Sequence, residues 1–149
     1  MTTTREEPAH RIQEAMTQIA RWVGRPETRG KLLGAAGQEL SPIDVELLRT
    51  IVANGPVRVS DLAEWQCVDK STITPQVRRL ERRELVERRP DPADRRAVLL
   101  TATTRGRRTC QRMEATGAAV ISSTLQGWSQ EDQEALATLF SRFAQDLTT

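Results

Sequence analysis

Histidine and cysteine are almost absent from this chain of 149 residues, which has one histidine and two cysteines. Cys67 and Cys110 fit neither a metal-ligand spacing nor a disulfide framework, so both are expected to be free thiols in a reducing compartment. His10 lies near the N-terminus with no nucleophile to pair with, and no glycine-rich phosphate-binding loop is present. These absences argue against an enzyme, a metal site or a bound cofactor.

Long apolar runs are also missing. No run reaches the roughly 18 residues that a membrane-spanning helix requires, and the opening segment "MTTTREEPAH" lacks the apolar centre of a signal peptide. The chain has the length of one domain, and its composition, 38% hydrophobic and 28% charged, is typical of a globular protein. We therefore expect a cytoplasmic protein without a membrane partner.

Apolar residues at helical spacing mark both ends of the chain. One stripe predicts a first helix over residues 9–25, and residues 104–125 and a segment after Ser129 predict the last two helices. Residues 24–40, with Pro26 and four glycines, predict a helix end, a loop and a short extra turn. The stripes consist of Ile12, Met16, Ile19 and Val23 in the first helix and Leu136, Leu139, Phe140, Phe143 and Leu147 in the last. Because one small domain cannot bury such stripes, they predict a dimer.

A well-marked helix begins after the glycine-containing segment. Ser41 suits its N-cap and Pro42 its first position, while the Asn-Gly-Pro sequence at residues 54–56 ends it. The apolar spacing predicts which side chains this helix buries. They are Ile43, Leu47, Leu48 and Ile51.

A brief helix is predicted next, with Ser60 as its cap. It is expected to bury Leu62 together with either Trp65 or Cys67, and the apolar neighbourhood of Cys67 favours an inert, structural thiol. A short helix followed by a tight turn and a second, more basic helix is typical of a helix-turn-helix.

The stretch "STITPQVRRL" contains the second helix of that motif, which is predicted to run to about Glu84. Its apolar side chains recur at helical spacing, although Pro75 stands among them. A proline is tolerated in the first turn of a helix, where N–H groups have no intrahelical partner. We therefore predict that the helix starts at Ser71 or Thr72, within one residue. With Ser71 or Thr72 as the N-cap, Pro75 stands at the fourth or third helical position. The apolar residues are Ile73, Val77 and Leu80.

Residues 85–103, "LVERRPDPADRRAVLLTAT", predict a β-hairpin. Val86 and Arg88 alternate before the centre of the segment, and Val98 and Leu100 alternate after it. Residues 90–95 between them are predicted to form a longish polar tip. A hairpin that directly follows a helix-turn-helix is a wing.

The charge of the chain is concentrated in this central part. The total is only +2 at pH 7, but residues 70–108 contain 12 basic and five acidic side chains, a net charge of +7, so the rest carries −5. Phosphates give sequence-independent affinity to such a basic face through counterion release. The distribution predicts nucleic-acid binding rather than a solvated charged surface.

The segment "VSDLAEWQCVDK" followed by "STITPQVRRLERRELVERRPDPADRRAVLLTATTRG" resembles the MarR family of bacterial transcription regulators. The most specific part of the resemblance is Asp94-Arg95-Arg96 followed by an apolar strand. It implies a mainly α fold with a small β wing and about six helices. The winged helix-turn-helix DNA-binding domain is expected to span residues 41–103, and residues 1–40 and 104–149 are expected to form the dimerisation region.

The resemblance also implies how such a protein works. Members of the family are homodimers joined through the first and the last two helices, and many bind a small aromatic or anionic ligand in a cleft between the two regions. We therefore predict a sequence-specific regulator of duplex DNA, a repressor released by a ligand, acting in the bacterial cytoplasm and on the nucleoid. The second helix of the helix-turn-helix is the recognition helix, which enters the major groove of DNA. A dimer has two of them, which predicts a near-palindromic operator with half-sites about 10 base pairs apart. The alternative is a winged-helix module that binds RNA or protein without operator specificity.

The side of the recognition helix opposite its apolar residues is predicted to face the major groove. Gln76 suits adenine, and either Arg78 or Arg79 suits guanine, a choice that the sequence leaves open. Thr74 and Pro75 suit a thymine methyl group, and the start of the helix suits phosphates. The predicted contacts are Lys70, Ser71, Thr72, Thr74, Pro75, Gln76, Arg78 and Arg79.

The wing is predicted to contact the minor groove. The family pattern implies that Arg96 enters the groove, that Asp94 orients it, and that Arg95 holds a phosphate. Narrow A·T minor grooves concentrate negative potential, which favours an inserted arginine. The alternative is an exposed ion pair between Asp94 and Arg96, worth about 0–1 kcal/mol.

Overall fold

The computed structural model describes residues 7–149. Residues 1–6, which begin the segment predicted not to be a signal peptide, lie outside the described part. The described residues form seven helices and three strands, with bounds as follows: α1 Pro8–Val23, α2 Pro26–Gln38, α3 Pro42–Asn54, β1 Val57–Arg58, α4 Val59–Trp65, α5 Lys70–Arg82, β2 Val86–Asp91, β3 Asp94–Ala102, α6 Thr104–Thr124 and α7 Gln130–Thr148. The antiparallel sheet has the order β1-β3-β2. The predicted fold class, mainly α with a small β wing, is confirmed. No helix within residues 7–149 is long and apolar enough to cross a membrane.

The helix count exceeds the predicted six by one because the segment expected to be mostly loop folds as α2. Pro26 stands at the start of α2, where its missing N–H costs nothing, and Glu27 places a negative charge in the first turn. Gly34 has φ 62° and interrupts the helix. A Cβ at Gly34 would lie 3.2 Å from Thr116 Oγ1 on α6, so the glycine lets α2 lie close to α6.

Hydroxyl caps mark three helix starts. The Ser41 and Ser129 side chains accept hydrogen bonds from the backbone N–H groups of Asp44 and Asp132, both at 3.1 Å, and the cap at Ser41 is the predicted one. Thr103 caps α6 in the same way. The prediction for Ser60 is wrong, because α4 already begins at Val59, directly after β1.

The core lies where α3, α4, α5, β3 and α6 meet. Its largest fully buried side chains are Leu47, Leu48, Ile51, Leu62, Ile73, Val77, Leu80, Leu100 and Met113. Ile43 is predicted to lie there but is 53% exposed, and Val45 is buried instead.

The expectation that α4 buries Trp65 or Cys67 is also wrong. Trp65 is the last residue of α4 and is 53% exposed, while Cys67 lies in the following turn and is exposed too. Helix α4 has only seven residues, and Ala63 is its last buried residue. Cys67 therefore does not occupy the apolar environment that the sequence predicted for it, whereas Cys110 is buried.

The apolar stripes of the terminal helices are not covered within one chain. Neither α1 nor α7 has a buried residue. In α1, Ile12 and Ile19 are 44% and 46% exposed, and in α7, Leu139 and Phe140 are 58% and 52% exposed. The single chain thus leaves unburied the side chains on which the dimer prediction depends.

Candidate nucleic-acid interface

The recognition helix is α5, and it begins one residue earlier than Ser71. Asp69 is the N-cap, with φ −71° and ψ 149°, so the predicted cap at Ser71 or Thr72 is wrong although the start lies within the predicted margin. The turn before α5 contains Cys67, whose φ of 53° lies in the left-handed region. This turn separates α4 from α5, which begins at Lys70. Pro75 consequently occupies the sixth helical position rather than the third or fourth. It has no N–H for the carbonyl of Ser71.

The polar side of α5 is largely open. Lys70, Ser71, Thr72, Pro75 and Arg78 are exposed, and Thr74 is half-buried, with its hydroxyl donating to the Lys70 carbonyl at 2.8 Å. Ser71, Pro75 and Arg78 are spaced by four and three residues, so they share one face of the helix. Six of the eight predicted contact residues can therefore meet DNA from this surface.

Gln76 does not lie on that surface. It is only 8% exposed, and its Oε1 is buried without a hydrogen-bond partner among the described residues. The expectation that Gln76 faces the major groove is wrong for this conformation. Its spacing of three residues from Ile73 and four from Leu80 places it on the apolar face, a signal that the sequence already contained.

Arg79 is held by the protein itself. Its Nε donates to Oδ2 of Asp44 at 2.9 Å and its Nη2 donates to Oδ1 at 2.8 Å, a bidentate pair between α5 and α3. Asp44 is only 4% exposed, and its hydrogen bonds raise the pKa of the Arg79 guanidinium. Within residues 7–149, Arg78 makes no side-chain hydrogen bond or ion pair. Of the two arginines that the sequence left open as a guanine contact, the structure therefore favours Arg78.

The wing consists of β2, β3 and the two residues between them, Pro92 and Ala93. The predicted tip of residues 90–95 is too long, because Pro90 pairs with Val98 and Asp91 with Asp94. Proline is tolerated at this position because β2 is an edge strand of the sheet.

The arginines of the wing tip are exposed. Asp94 Oδ1 accepts a hydrogen bond from the backbone N–H of Arg96 at 3.0 Å, so its contact with Arg96 is to the main chain rather than to the guanidinium. The side chains of Arg95 and Arg96 have no ionic partner in the described part of the chain. Farther from the tip, Arg88 and Arg89 are paired with Glu81 and Glu87. Unpaired positive charge is thus concentrated at the tip.

A contact that sequence reasoning missed anchors the wing. Arg58 on β1 donates from Nη2 and Nε to Oδ2 of Asp91, at 2.6 and 3.1 Å, and the backbone N–H of Ala93 donates to Oδ1 at 2.9 Å. The Ala93 N–H and then Arg58 hold the pKa of Asp91 below its usual value. The partners are 33 residues apart in the chain, and no local pattern connects them.

A cavity of about 1090 Å³ lies beside the DNA-binding part, between the α1–α2 junction, α3 and α6. Its wall is mainly apolar and includes three arginines and two glutamates. The residues that line it are Val23, Gly24, Arg25, Pro26, Arg29, Gly30, Leu32, Leu33, Gln38, Pro42, Val45, Glu46, Arg49, Met113, Glu114, Gly117, Ala118 and Ile121. It occupies the position between the two regions where the sequence resemblance implied a ligand cleft.

Comparison with known proteins agrees with this architecture. The sequence model of the MarR family matches residues 40–98. An uncharacterized HTH-type transcriptional regulator of Bacillus subtilis, YxaD, is 34% identical over 96 residues, which are 64% of this chain and 67% of that protein. The HTH-type transcriptional repressor NicR of Pseudomonas putida is 38% identical over 72 residues, 48% of this chain and 46% of NicR.

Solved structures have the same fold. The transcriptional regulator Tm0710 of Thermotoga maritima is 25% identical, with a TM-score of 0.71 and 96% of each chain covered. Streptococcus pneumoniae FabT, solved in complex with DNA, is 24% identical, with a TM-score of 0.69 over 94% of this chain and 97% of FabT. The relatives named above are transcription regulators rather than enzymes. With this sequence similarity and a winged helix-turn-helix fold, the chain belongs to the MarR family of DNA-binding transcription regulators.

Proposed function

We propose that the protein is a homodimeric repressor that binds a near-palindromic operator in duplex DNA and is released by a small molecule. The observation that carries the proposal is the open face of α5, where the Arg78 side chain has no hydrogen-bond or ionic partner within residues 7–149, beside a wing whose Arg95 and Arg96 side chains likewise have none there. A helix of this kind fits the major groove while an arginine of the wing fits the adjacent minor groove. The protein would act in the bacterial cytoplasm, on the nucleoid.

The contacts divide into base readout and phosphate binding. Arg78 is assigned to guanine, because a guanidinium can donate two hydrogen bonds to O6 and N7. Thr74 and Pro75 are assigned to a thymine methyl group, and Lys70, Ser71 and Thr72 to phosphates at the start of the helix. Gln76 and Arg79 are not assigned direct contacts, since one is buried and the other is paired with Asp44.

In the wing, Arg96 is assigned to the minor groove and Arg95 to a phosphate. Asp94 supports them by holding the backbone of the turn, through the hydrogen bond from the Arg96 N–H. The exposed ion pair that was the alternative would need the Arg96 guanidinium, which has no such partner among the described residues. Arg96→Ala is expected to weaken operator binding at physiological salt.

The exposed stripes of α1 and α7 support a homodimer. Burying an apolar surface of this kind contributes roughly 25 cal/mol for each Å² removed from water. A dimer joined through α1, α6 and α7 would present two copies of α5 to two half-sites. Sedimentation at micromolar concentration tests this directly, and a monomer would overturn the proposed dimer.

The cavity beside α3 supports release by a ligand. Its volume of about 1090 Å³ and its mainly apolar wall suit a small aromatic compound, and the arginines among its lining residues, Arg25, Arg29 and Arg49, suit an anionic group. Because α3 forms part of both the cavity wall and the core under α5, a ligand there is well placed to affect DNA binding. A compound that weakens operator binding should lose this effect when Ala118→Trp fills the cavity.

The decisive experiment maps genomic fragments bound by the purified protein and then measures operator affinity for variants. Arg78→Ala is expected to cost about 1–3 kcal/mol of binding free energy and to relax specificity at one base pair. Arg112→Ala is the matched control, because this exposed arginine of α6 lies beside Arg82 and Arg83 at the other end of α5. Equal binding of an RNA competitor, or an Arg78→Ala variant as tight as the control, would favour the RNA- or protein-binding alternative.

A further inference from the structure

We propose that Asp44 and Arg79 are positioning residues, which fix the recognition helix to α3 so that α5 meets DNA at one defined angle. This inference rests on the proposed DNA-binding function and assigns Arg79 to the protein rather than to the operator. It starts from the bidentate contact, in which the Nε and Nη2 groups of Arg79 lie 2.9 and 2.8 Å from the two carboxylate oxygens of Asp44.

The carboxylate of Asp44 is a fixed point in the structure. Its side chain is 6% exposed, and its backbone N–H donates to the Ser41 hydroxyl at the N-cap of α3. A carboxylate is costly to bury unless it is paired and hydrogen-bonded. Arg79 supplies both requirements at once, so the position of its guanidinium is dictated by α3.

The geometry of the pair restricts the helix as well as the side chain. The planar guanidinium and the planar carboxylate meet through two parallel hydrogen bonds, which define direction in addition to distance. Arg79 stands directly after Arg78, so a rotation of α5 about its own axis would move both side chains together. Holding Arg79 therefore also sets where Arg78 points.

Helix α3, which pairs with Arg79 through Asp44, also lines the cavity. Pro42, Val45, Glu46 and Arg49 of α3 line the 1090 Å³ cavity, and Asp44 lies between the first two of these residues in the sequence. A displacement of this wall would be passed through the ion pair to α5. The ion pair thus connects α3, which lines the cavity proposed for a small molecule, with α5, which carries the proposed DNA contacts.

A second ion pair at the same cleft provides a control. Glu39 accepts from Arg83 at 3.2 Å, but the Glu39 side chain is 77% exposed and the contact is a single hydrogen bond. Both acids line one cleft with Arg79, Arg82 and Arg83. Glu39→Gln and Asp44→Asn remove the same charge from nearly the same place, so general attraction to DNA rises equally in both variants.

The test measures operator affinity as a function of salt for the wild type, Asp44→Asn, Arg79→Gln, the double variant and Glu39→Gln. We expect Asp44→Asn and Arg79→Gln each to bind roughly tenfold more weakly, about 1.4 kcal/mol, and the double variant to be no weaker than either. The salt slope should be unchanged in Arg79→Gln, because no phosphate contact is lost. Operators whose half-site separation is altered by one base pair should be discriminated less well by Asp44→Asn than by the wild type.

Glu39→Gln is expected to bind at least as tightly as the wild type. Thermal unfolding identifies any variant that is unfolded under the assay conditions, and Arg79→Lys then takes over the test, since it keeps the charge but cannot form the fork. Asp44→Asn binding as tightly as Glu39→Gln, or an Arg79→Gln salt slope lower by about one, would overturn the positioning role and make Arg79 a DNA contact. Failure of the wild type to bind any duplex would overturn this inference together with the proposed function.

Discussion

Arg58 and Asp91 form an ion pair that joins the first strand of the sheet to the tip of the wing, with Arg58 Nη2 2.6 Å from Asp91 Oδ2. Asp91 also accepts a hydrogen bond from the Ala93 N–H within the wing turn. One carboxylate therefore stabilises the turn and ties it to β1 at the same time. We infer that this contact determines where Arg95 and Arg96 are carried relative to α5.

Asp91→Asn should weaken operator binding through the position of the wing. The asparagine oxygen can still accept from Ala93, but its NH₂ group or the loss of charge weakens the contact with Arg58. We expect affinity to fall by roughly fivefold or more, the low end of the range for a lost DNA contact. Glu87→Gln is the matched control, because Glu87 lies on the same strand, pairs with Arg89 and loses the same charge. Equal affinities of the two variants would contradict an anchoring role for Asp91.

Asp91 should also give the stability of the protein a pH dependence. Its pKa in the folded chain is lowered from the ordinary 3.8 by the Ala93 N–H and by Arg58. A lowered folded pKa contributes stability that is fully present above the unfolded pKa and is lost as the pH falls through the folded pKa. The difference in unfolding free energy between wild type and Asp91→Asn should therefore be constant near neutral pH and shrink below about pH 4. Urea unfolding over this range measures it, and a difference that grows on acidification would show the opposite sign.

Replacing the buried Gln76 should stabilise the protein. Its Oε1 has no hydrogen-bond partner among the described residues, and an unsatisfied buried polar group costs about 1–3 kcal/mol. Gln76→Leu should raise the free energy of unfolding by about 1 kcal/mol or more, measured by urea titration. Gln111→Leu, at an exposed position of α6, should change it by less than about 0.5 kcal/mol. Operator affinity should be unaffected by Gln76→Leu, and a clear loss would restore the base-reading role first assigned to Gln76.

The two thiols should differ in reactivity. Cys67 is exposed in the turn before α5, whereas Cys110 is 3% exposed and burial raises its pKa. Iodoacetamide should label one thiol in the native protein and two after unfolding, because the thiolate is the reacting species and must be accessible. Mass spectrometry of the native reaction should place the label at Cys67, and Cys67→Ser should abolish it. Rapid labelling of Cys110 in the native protein would show that α6 opens.

Several elements could be predicted from the sequence because their causes are local. The start of α3 follows from Ser41 and Pro42, and its end follows from the Asn-Gly-Pro sequence. The wing followed from alternation on either side of a polar centre, and the clustering of basic residues indicated nucleic acid. The N-cap of α5 is Asp69 rather than Ser71 or Thr72, because the preceding turn contains Cys67 in a left-handed conformation that no sequence rule demands of cysteine.

The sequence by itself determined the order of six of the seven described helices, the place of the wing, the sign of its charge and the apolar stripes at both ends. Only the tertiary structure decided which of the basic side chains are paired with a carboxylate and which remain available for DNA. Arg78 and Arg79 are neighbours with the same chemistry, but a carboxylate 35 residues from Arg79 withdraws one of them from the surface. Arg58 and Asp91 meet in the same way across 33 residues. Contacts of this kind depend on how helices and strands pack, and packing brings together residues that share no local pattern.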